Sequence, residues 1–591
     1  LWPLYAVTLV LAMCSLLYEL VLAQTLSALL GNTVLRYSIT IGCYLGALGV
    51  GSLLCKPDAP DRDPRIRLVR VEVALCIVGA SAVPCFFYFD GIQRYLYFGE
   101  GAWAGESYAP ILFLVATHVF IVAIGVLSGF ELPLLLSLGE RRRRGSTPRV
   151  LGVDYLGSLV GAVVFPLVLL PKLGLIATAF SVALLNGVAG AILAFWFRLR
   201  RWTIAAGLAV AILLSVVGLA ASSAIEQRFL KSFYYETDLQ DPISLTLPED
   251  IPPVEHHRSS YQSIDMFAYA DAEQWQTDIF MPRNDPDDLW MYIDGEFQFF
   301  SAIEAAYHEW FVHLPVQQLQ HVPRRVLVLG GGDAMAVREL LRYEDVEEVV
   351  QVELDPMMIE LSRTHPLLTK LNDPAHRDPR HRLIADDAFH WLRSNHDEFE
   401  LILVDMPYPK DHNLSNVYSR EFYIEVHKHL TDDGYLGLDA PSGDCHEGAY
   451  WPMYSATLRA AGFQTVQQYG SFLAPWARRP QSIIDAADRV VVQDDDGTER
   501  VLTGADATEW WQDRVQIALD EMPVNEFILA SPAEVPIVTT WTELDVPLRA
   551  FGPALLPEAF AVDCEVSTDE RHINSIFRPT IPTPELLSLR G

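Results

Sequence analysis

Cysteine is scarce in this chain: seven in 591 residues, none at metal-ligand spacing. Five of them (Cys14, Cys43, Cys55, Cys76 and Cys85) fall in or beside apolar segments, where a thiol is usually a small hydrophobe. Only Cys445 and Cys564 lie in the polar half, where they form one disulfide or none. No lysine follows the glycine-rich turn at 330–332, which argues against a nucleoside triphosphate site of the Walker type. No repeat of solenoid period is present. Positive charge is short after residue 222: residues 1–222 carry 16 Lys plus Arg against 11 Asp plus Glu, leaving 27 against 64 for the remainder. So acidic a region repels nucleic acid and anionic headgroups and suits cationic ligands, although solubility alone is a sufficient reason for it.

The apolar residues, 51% of the chain, are concentrated at the front. Windows long enough to span a bilayer occur at roughly 4–30, 33–55, 68–88, 109–136, 151–171, 173–197 and 202–222, predicting a transmembrane domain of about seven helices over 1–222 with the lipid bilayer as partner. The last boundary but one, at Pro171-Lys172, is the least marked. Glu19 inside the first window favours a permanent span over a cleaved signal. Glu19, His118, Glu131 and Asp154 are predicted at membrane depth, either as a satisfied structural network or lining a path for a polar or cationic solute. Lys56 to Arg67, Arg141 to Arg149 and Arg198 to Arg201 mark alternate loops as cytoplasmic. With seven spans, the rest of the chain then emerges on the outer face, and one miscounted helix reverses this.

Polar, proline-containing sequence at 223–257 reads as a linker. Residues 258–315 follow, with short alternating runs and Asp294-Gly295 between two of them, which predicts a β-hairpin region. A helix starting at Ser301 carries Tyr307, His308 and Glu309, which are consecutive and cannot all face one ligand. From 316 to 591 strands alternate with helices, predicting a Rossmann-like parallel sheet. An insertion over about 476–525, including Trp510-Trp511, suits a lid or a partner surface.

The organising stretch is 326–409. VLVLGGGDAMAVRELL delivers three glycines from a strand into a helix, VVQVELDP ends a second strand at Glu353, and FELILVDMPYP ends another at Asp405. Ligands of such sheets sit at the carboxyl ends of the strands. There Gly330, Gly332, Asp333, Glu353, Asp386, Asp387 and Asp405 converge, with acids placed for ribose hydroxyls and for an adenine amino group. An adenosyl-sulfonium compound fits this better than a dinucleotide. His308 and His412 lack metal-spacing partners, so no metal is expected.

In these residues the chain resembles the spermidine synthase (polyamine aminopropyltransferase) family in its membrane-attached form. Ser260-Tyr261-Gln262 is similar to the family's RYQ element, and DGEFQ with Gln298 to its hairpin. Tyr307-His308-Glu309 is similar to its YHE helix, Gly330 to Glu339 to GGGDG-x-x-RE, and Asp405 to Pro409 to its D-x-x-DP loop. The resemblance implies that Gln262, Asp333, Glu353 and Asp387, with Gly330, Gly332 and Asp386, hold decarboxylated S-adenosylmethionine. It implies that Tyr307, His308, Gln298, Tyr408 and the base Asp405 serve a polyamine acceptor such as putrescine, and a homodimer is among the expected partners. Two positions depart from the pattern: Ala334 replaces a glycine, and Tyr408 stands where a second loop acid belongs. Rival readings are a methyltransferase using S-adenosylmethionine on the same sheet, and a non-catalytic polyamine-binding sensor or transport accessory.

Overall fold

The computed structural model describes residues 2–30, 33–56, 63–98, 108–234, 252–268, 288–301, 304–409, 414–440, 450–470, 490–493, 499–502, 526–543, 546–548, 551–553, 556–560 and 564–580. Two compact units divide between Val254 and Glu255.

The first unit is a helical bundle: α1 (Trp2–Leu30), α2 (Thr33–Leu54), α3 (Pro64–Phe98), α4 (Ala109–Arg142), α5 (Thr147–Val164), a π-helical turn (Phe165–Leu169), α6 (Leu170–Trp196), α7 (Trp202–Ala220) and α8 (Ser222–Tyr234). Six helical stretches are long and apolar enough to cross a membrane, and one of them, Thr147–Trp196, has 50 residues. At 1.5 Å per residue that is about 75 Å, more than twice a hydrocarbon core of about 30 Å. Gly174 divides it, with φ 72° and ψ −176°, so the stretch amounts to two helices. The break falls three residues past Pro171, where the sequence suggested it. The expected linker over 223–257 is reduced at both ends, by α8 and by a strand that starts at Glu255. α8 is amphipathic rather than apolar, which is why it escaped a search for spans.

Glu19 and Glu131 are buried in the bundle. Glu72, absent from the sequence prediction, is fully buried on α3. His118 Nδ1 lies 2.7 Å from the Leu114 carbonyl of its own helix.

The second unit opens with a four-stranded antiparallel sheet, β1 (Glu255–Arg258), β2 (Ser263–Ala268), β3 (Leu289–Ile293) and β4 (Glu296–Phe300), in that order. The predicted hairpin is β3–β4, turning at Asp294 and Gly295, both at positive φ. Helix α9 (Ala305–Leu319) leads to the main sheet. This comprises β5 (Arg325–Gly330), β6 (Glu348–Glu353), β7 (His381–Ala385), β8 (Phe399–Asp405), β9 (Leu430–Ala440), β10 (Thr465–Gly470) and, after a separate hairpin of β11 (Val490–Gln493) and β12 (Glu499–Leu502), β13 (Glu526–Ser531). The order is β10-β13-β9-β8-β5-β6-β7. β7, β6, β5, β8 and β9 are parallel, while β13 runs antiparallel between β9 and β10.

The order of β5, β6 and β8 positions the site. Val326 to Leu329 and Leu401 to Leu403 have no solvent exposure, and burying each such side chain stabilises by about 1.5–3 kcal/mol. With both faces covered, the strands are fixed in depth and their carboxyl ends come level. Between β5 and β8 the sequence reverses on either side, which makes a crevice at that edge. Helices α10 (Met335–Leu341), α11 (Pro356–Thr364, followed by α12, Pro366–Leu371) and α13 (Ala388–Ser394) start just beyond β5, β6 and β7. The insertion over 476–525 lies outside the described residues except for β11 and β12, and Trp510-Trp511 and His412 lie outside them too. Cys564 is disulfide-bonded and the other five described cysteines are free. Cys445 is not among the described residues.

Candidate active site

The glycine turn fits only if its first residues have no side chain. Gly330 and Gly331 have positive φ, and a Cβ on Gly330 would sit 2.1 Å from the Asp405 carbonyl oxygen. A Cβ on Gly332 would meet Met358 at 2.5 Å and Glu353 Oε2 at 2.9 Å. The turn is therefore pressed between the ends of β8 and β6. Gln351, buried on β6, donates to the Gly330 carbonyl at 3.0 Å, and the Gly331 amide donates to the Asp405 carbonyl at 2.8 Å.

Ala334 has φ 64°, ψ 20°, so it occupies the left-handed conformation that the family's glycine adopts freely. An alanine there costs about 1–2 kcal/mol, against about 0.4–1 kcal/mol gained by restricting the unfolded chain. Ala334→Gly is expected to stabilise the protein by roughly 0.5–1 kcal/mol. Chemical denaturation of the two proteins checks this; a destabilised variant would contradict it.

Four acids surround the crevice. Asp405 ends β8, and its Oδ1 accepts from the Tyr307 hydroxyl at 3.0 Å. Burial, and then the charge of Asp333, push its carboxyl up to about 6. Asp333 accepts from the Met335 amide at 2.8 Å, opening α10, and its Oδ2 lies 4.0 Å from His308 Nε2. Glu353 ends β6 with Oε1 taken by the Asp355 amide at 2.8 Å; burial, then Asp355 and Asp333, raise it to about 7. Asp439 lies near the end of β9, and burial followed by Asp405 raises it to about 7. Tyr307 itself is pushed up by burial and by Asp405 and Asp439, so it stays a neutral donor to Asp405.

Asp439 was missed by sequence reasoning, yet the rule that selected Asp333, Glu353 and Asp405 selects it as well. It ends the strand YLGLD. Glu304 was missed too, and it explains His308. His308 Nδ1 lies 3.0 Å from Glu304 Oε2; burial opposes the charged imidazole, but Glu304 and Asp333 outweigh it and raise the ring's pKa. His308, Asp333 and Asp405 bring one ligand atom each within 4.8 Å of one another. One imidazole and two carboxylates can hold a metal ion or, equally, a positively charged organic group.

The remaining predicted residues are distributed around this centre. Asp387 caps α13, accepting from the His390 amide at 2.8 Å, and Asp386 accepts from the Asp387 amide at 2.8 Å while lying 3.0 Å from His390 Nδ1. Gln262 enters β2 from a turn in which its amide donates to Ser259 Oγ at 3.1 Å, and Ser259 donates to Asp355 Oδ2 at 2.8 Å. Gln298 turns its side-chain amide back to the carbonyls of Glu296 and Phe297, at 3.2 and 3.3 Å, away from Asp405. Tyr408 donates to Glu296 Oε2 at 3.1 Å. Glu309, adjacent to Tyr307 and His308, points into the core, where it accepts from the Phe551 amide.

Residues 304–451 match the spermine/spermidine synthase domain. Polyamine aminopropyltransferase 1 of Streptomyces coelicolor is 34% identical over 465 residues, covering 77% of this chain and 78% of that protein. The polyamine aminopropyltransferase of Leptospira interrogans is 31% identical, covering 78% and 84%. The 465 aligned residues outnumber the 337 of the second unit (255–591), so the likeness runs into the helical unit as well. A spermidine synthase solved with the transition-state analogue AdoDATO overlays with TM-score 0.36 at 19% identity, covering 52% of this chain and 85% of that one. With a third of the aligned residues identical across three quarters of its length, the chain belongs to the polyamine aminopropyltransferase family and is a transferase of that type.

Proposed function

We propose that the second unit transfers an aminopropyl group from decarboxylated S-adenosylmethionine to a polyamine acceptor, putrescine to spermidine or a related pair. The observation that carries the reading is the grouping of acids around Asp405, which accepts from Tyr307, lies with His308 and Asp333 within 4.8 Å of one another, and raises Asp439 by its charge. Acids grouped this closely favour a cation, and both substrates are cations. The relatives' names point the same way.

The chemistry requires one acceptor ammonium to lose a proton. The freed amine forms a C–N bond as the neighbouring C–S bond breaks, and the sulfur leaves with the bonding pair as a neutral thioether. Asp405, poised near neutrality, takes the proton. The crevice aligns the nucleophile with the leaving group, an effect large enough to dominate the rate. Glu353 takes ribose hydroxyls, Asp386 and Asp387 face the adenine, and Asp333 takes the donor's ammonium. The carboxylate of ordinary S-adenosylmethionine would lie beside Asp333, and like charges discriminate against it. Calorimetric titration is expected to show at least about tenfold weaker binding of S-adenosylmethionine than of the decarboxylated donor, about 1.4 kcal/mol. Equal affinities would remove Asp333 from this role.

We further read the first unit as a membrane anchor. Seven crossings with basic residues in alternate loops support a second unit on the outer face, and a disulfide at Cys564 suits an oxidising compartment. A cysteine at exposed Asp433 (Asp433→Cys) is expected to react with a membrane-impermeant maleimide in intact cells, above the wild-type background. Reaction only after lysis would place the unit in the cytoplasm.

A further inference from the structure

Tyr408 takes the place of a loop acid, and a phenol cannot neutralise an ammonium. A diamine acceptor brings two ammonium groups. One is deprotonated beside Asp405; the other keeps its charge through the reaction and needs an anion at the far end of the crevice.

The structure brings a carboxylate to that end from a different element. Glu296 begins β4 directly after the Asp294-Gly295 turn, and its Oε2 accepts from the Tyr408 hydroxyl at 3.1 Å although 112 residues separate the two. Tyr408 lies three residues beyond Asp405 and packs edge-on against Tyr450, with ring centroids 5.9 Å apart. The charge of Asp439 reaches Tyr408 as well. Glu296 and Tyr408 are both partly exposed, so the carboxylate is open to solvent rather than sealed in the core. Gln298 braces the strand beneath it by donating to the Glu296 carbonyl. A carboxylate offers four or so acceptor positions, more than one hydroxyl donor can use.

We infer that Glu296, oriented by Tyr408, holds the far ammonium of a diamine or longer polyamine acceptor, so that the second anion of the acceptor site comes from the β3–β4 hairpin rather than from the loop after β8. Tyr408 is then a positioning residue, and its aromatic ring with that of Tyr450 lines the methylene chain between the two amines. The inference rests on the aminopropyl-transfer reading and adds the acceptor class to it: amines with a second charge.

The far ammonium does not change during the reaction, so its anion binds ground state and transition state alike and appears in KM rather than kcat. In the full-length protein in detergent, Glu296→Gln is expected to raise the KM for putrescine about tenfold or more, with kcat within about threefold, the loss of one charged hydrogen bond. Tyr408→Phe is expected to raise KM by a smaller factor in the same sense. KM does not depend on the fraction of correctly folded enzyme, so a partly unfolded variant does not mimic this result. A KM within twofold of wild type for both variants, or a fall in kcat at unchanged KM, overturns the assignment while leaving the transfer reading intact. A wild-type protein that transfers no aminopropyl group overturns both.

Discussion

Asp405→Asn is expected to lower kcat by about a thousandfold or more while decarboxylated S-adenosylmethionine still binds. The replacement has almost the same shape, so the backbone contacts that seat the glycine turn persist: the Gly331 amide still reaches the residue-405 carbonyl, and Gly330 still packs against it. What is lost is the basic oxygen. General base catalysis contributes about 10² to 10⁴ in rate, and Asp405 also supplies charge to the reacting ammonium before its proton leaves. Tyr307→Phe removes one hydrogen bond to that carboxylate and is expected to cost far less. The pH profile separates a base from a mere anchor. With its carboxyl raised to about 6 by burial and by Asp333, wild-type kcat/KM falls as the pH drops through about 6, because the basic form disappears. Asp405→Asn should lose this limb. A variant with wild-type rate would remove Asp405 as the base.

Arg338→Met is expected to destabilise the second unit by about 3–5 kcal/mol, enough to unfold a protein of ordinary stability at moderate temperature. Arg338 Nη2 lies 2.8 Å from Glu304 Oε2 and 2.8 Å from Glu339 Oε1, and both carboxylates are almost fully buried. Its Nη1 also donates to the Leu371 carbonyl at 2.8 Å. Methionine keeps the apolar stem and deletes the charge, which removes the guanidinium shared by two buried anions and leaves His308 to Glu304, and His313 and Arg342 to Glu339. The pH dependence has a definite sign. Burial opposes ionisation of Glu304, but His308 and Arg338 outweigh it and hold its carboxyl at about 2. Its contribution is therefore present above the unfolded value of about 4.3 and is lost as the pH falls from there toward 2. Without Arg338 acid unfolding should begin at higher pH. Thermal and acid unfolding monitored by near-ultraviolet circular dichroism check both statements; unchanged midpoints would show that the network contributes nothing.

Arg338 and Glu339 also show how a motif can be read correctly and its purpose missed. The chain's RE pair supports the resemblance, yet Glu339 points away from the crevice to His313 at 2.9 Å. The acids at the ends of β5, β6 and β8 were legible because a strand followed by glycine or an acid is a local pattern with a known destination in a parallel sheet. Asp439 obeys the same pattern and was passed over. Glu296 was not legible, since its partner is 112 residues away and nothing local marks the pairing. The antiparallel insertion of β13 between β9 and β10 is hidden for the same reason. Seven crossings were counted from apolar windows. The break inside Thr147–Trp196 was marked in sequence by Pro171-Lys172, but a proline can sit in a helix with only a kink, and the φ of Gly174 is what divides it. Glu72 was lost inside its window because one acid barely lowers the mean hydropathy of twenty apolar residues.

The central claim is tested most directly by incubating the purified full-length protein with decarboxylated S-adenosylmethionine and putrescine and following both products by mass. The expected result is a putrescine that gains one aminopropyl group for each methylthioadenosine released. Methyl transfer from S-adenosylmethionine in its place, or polyamine binding with no transfer to any amine, would contradict the account.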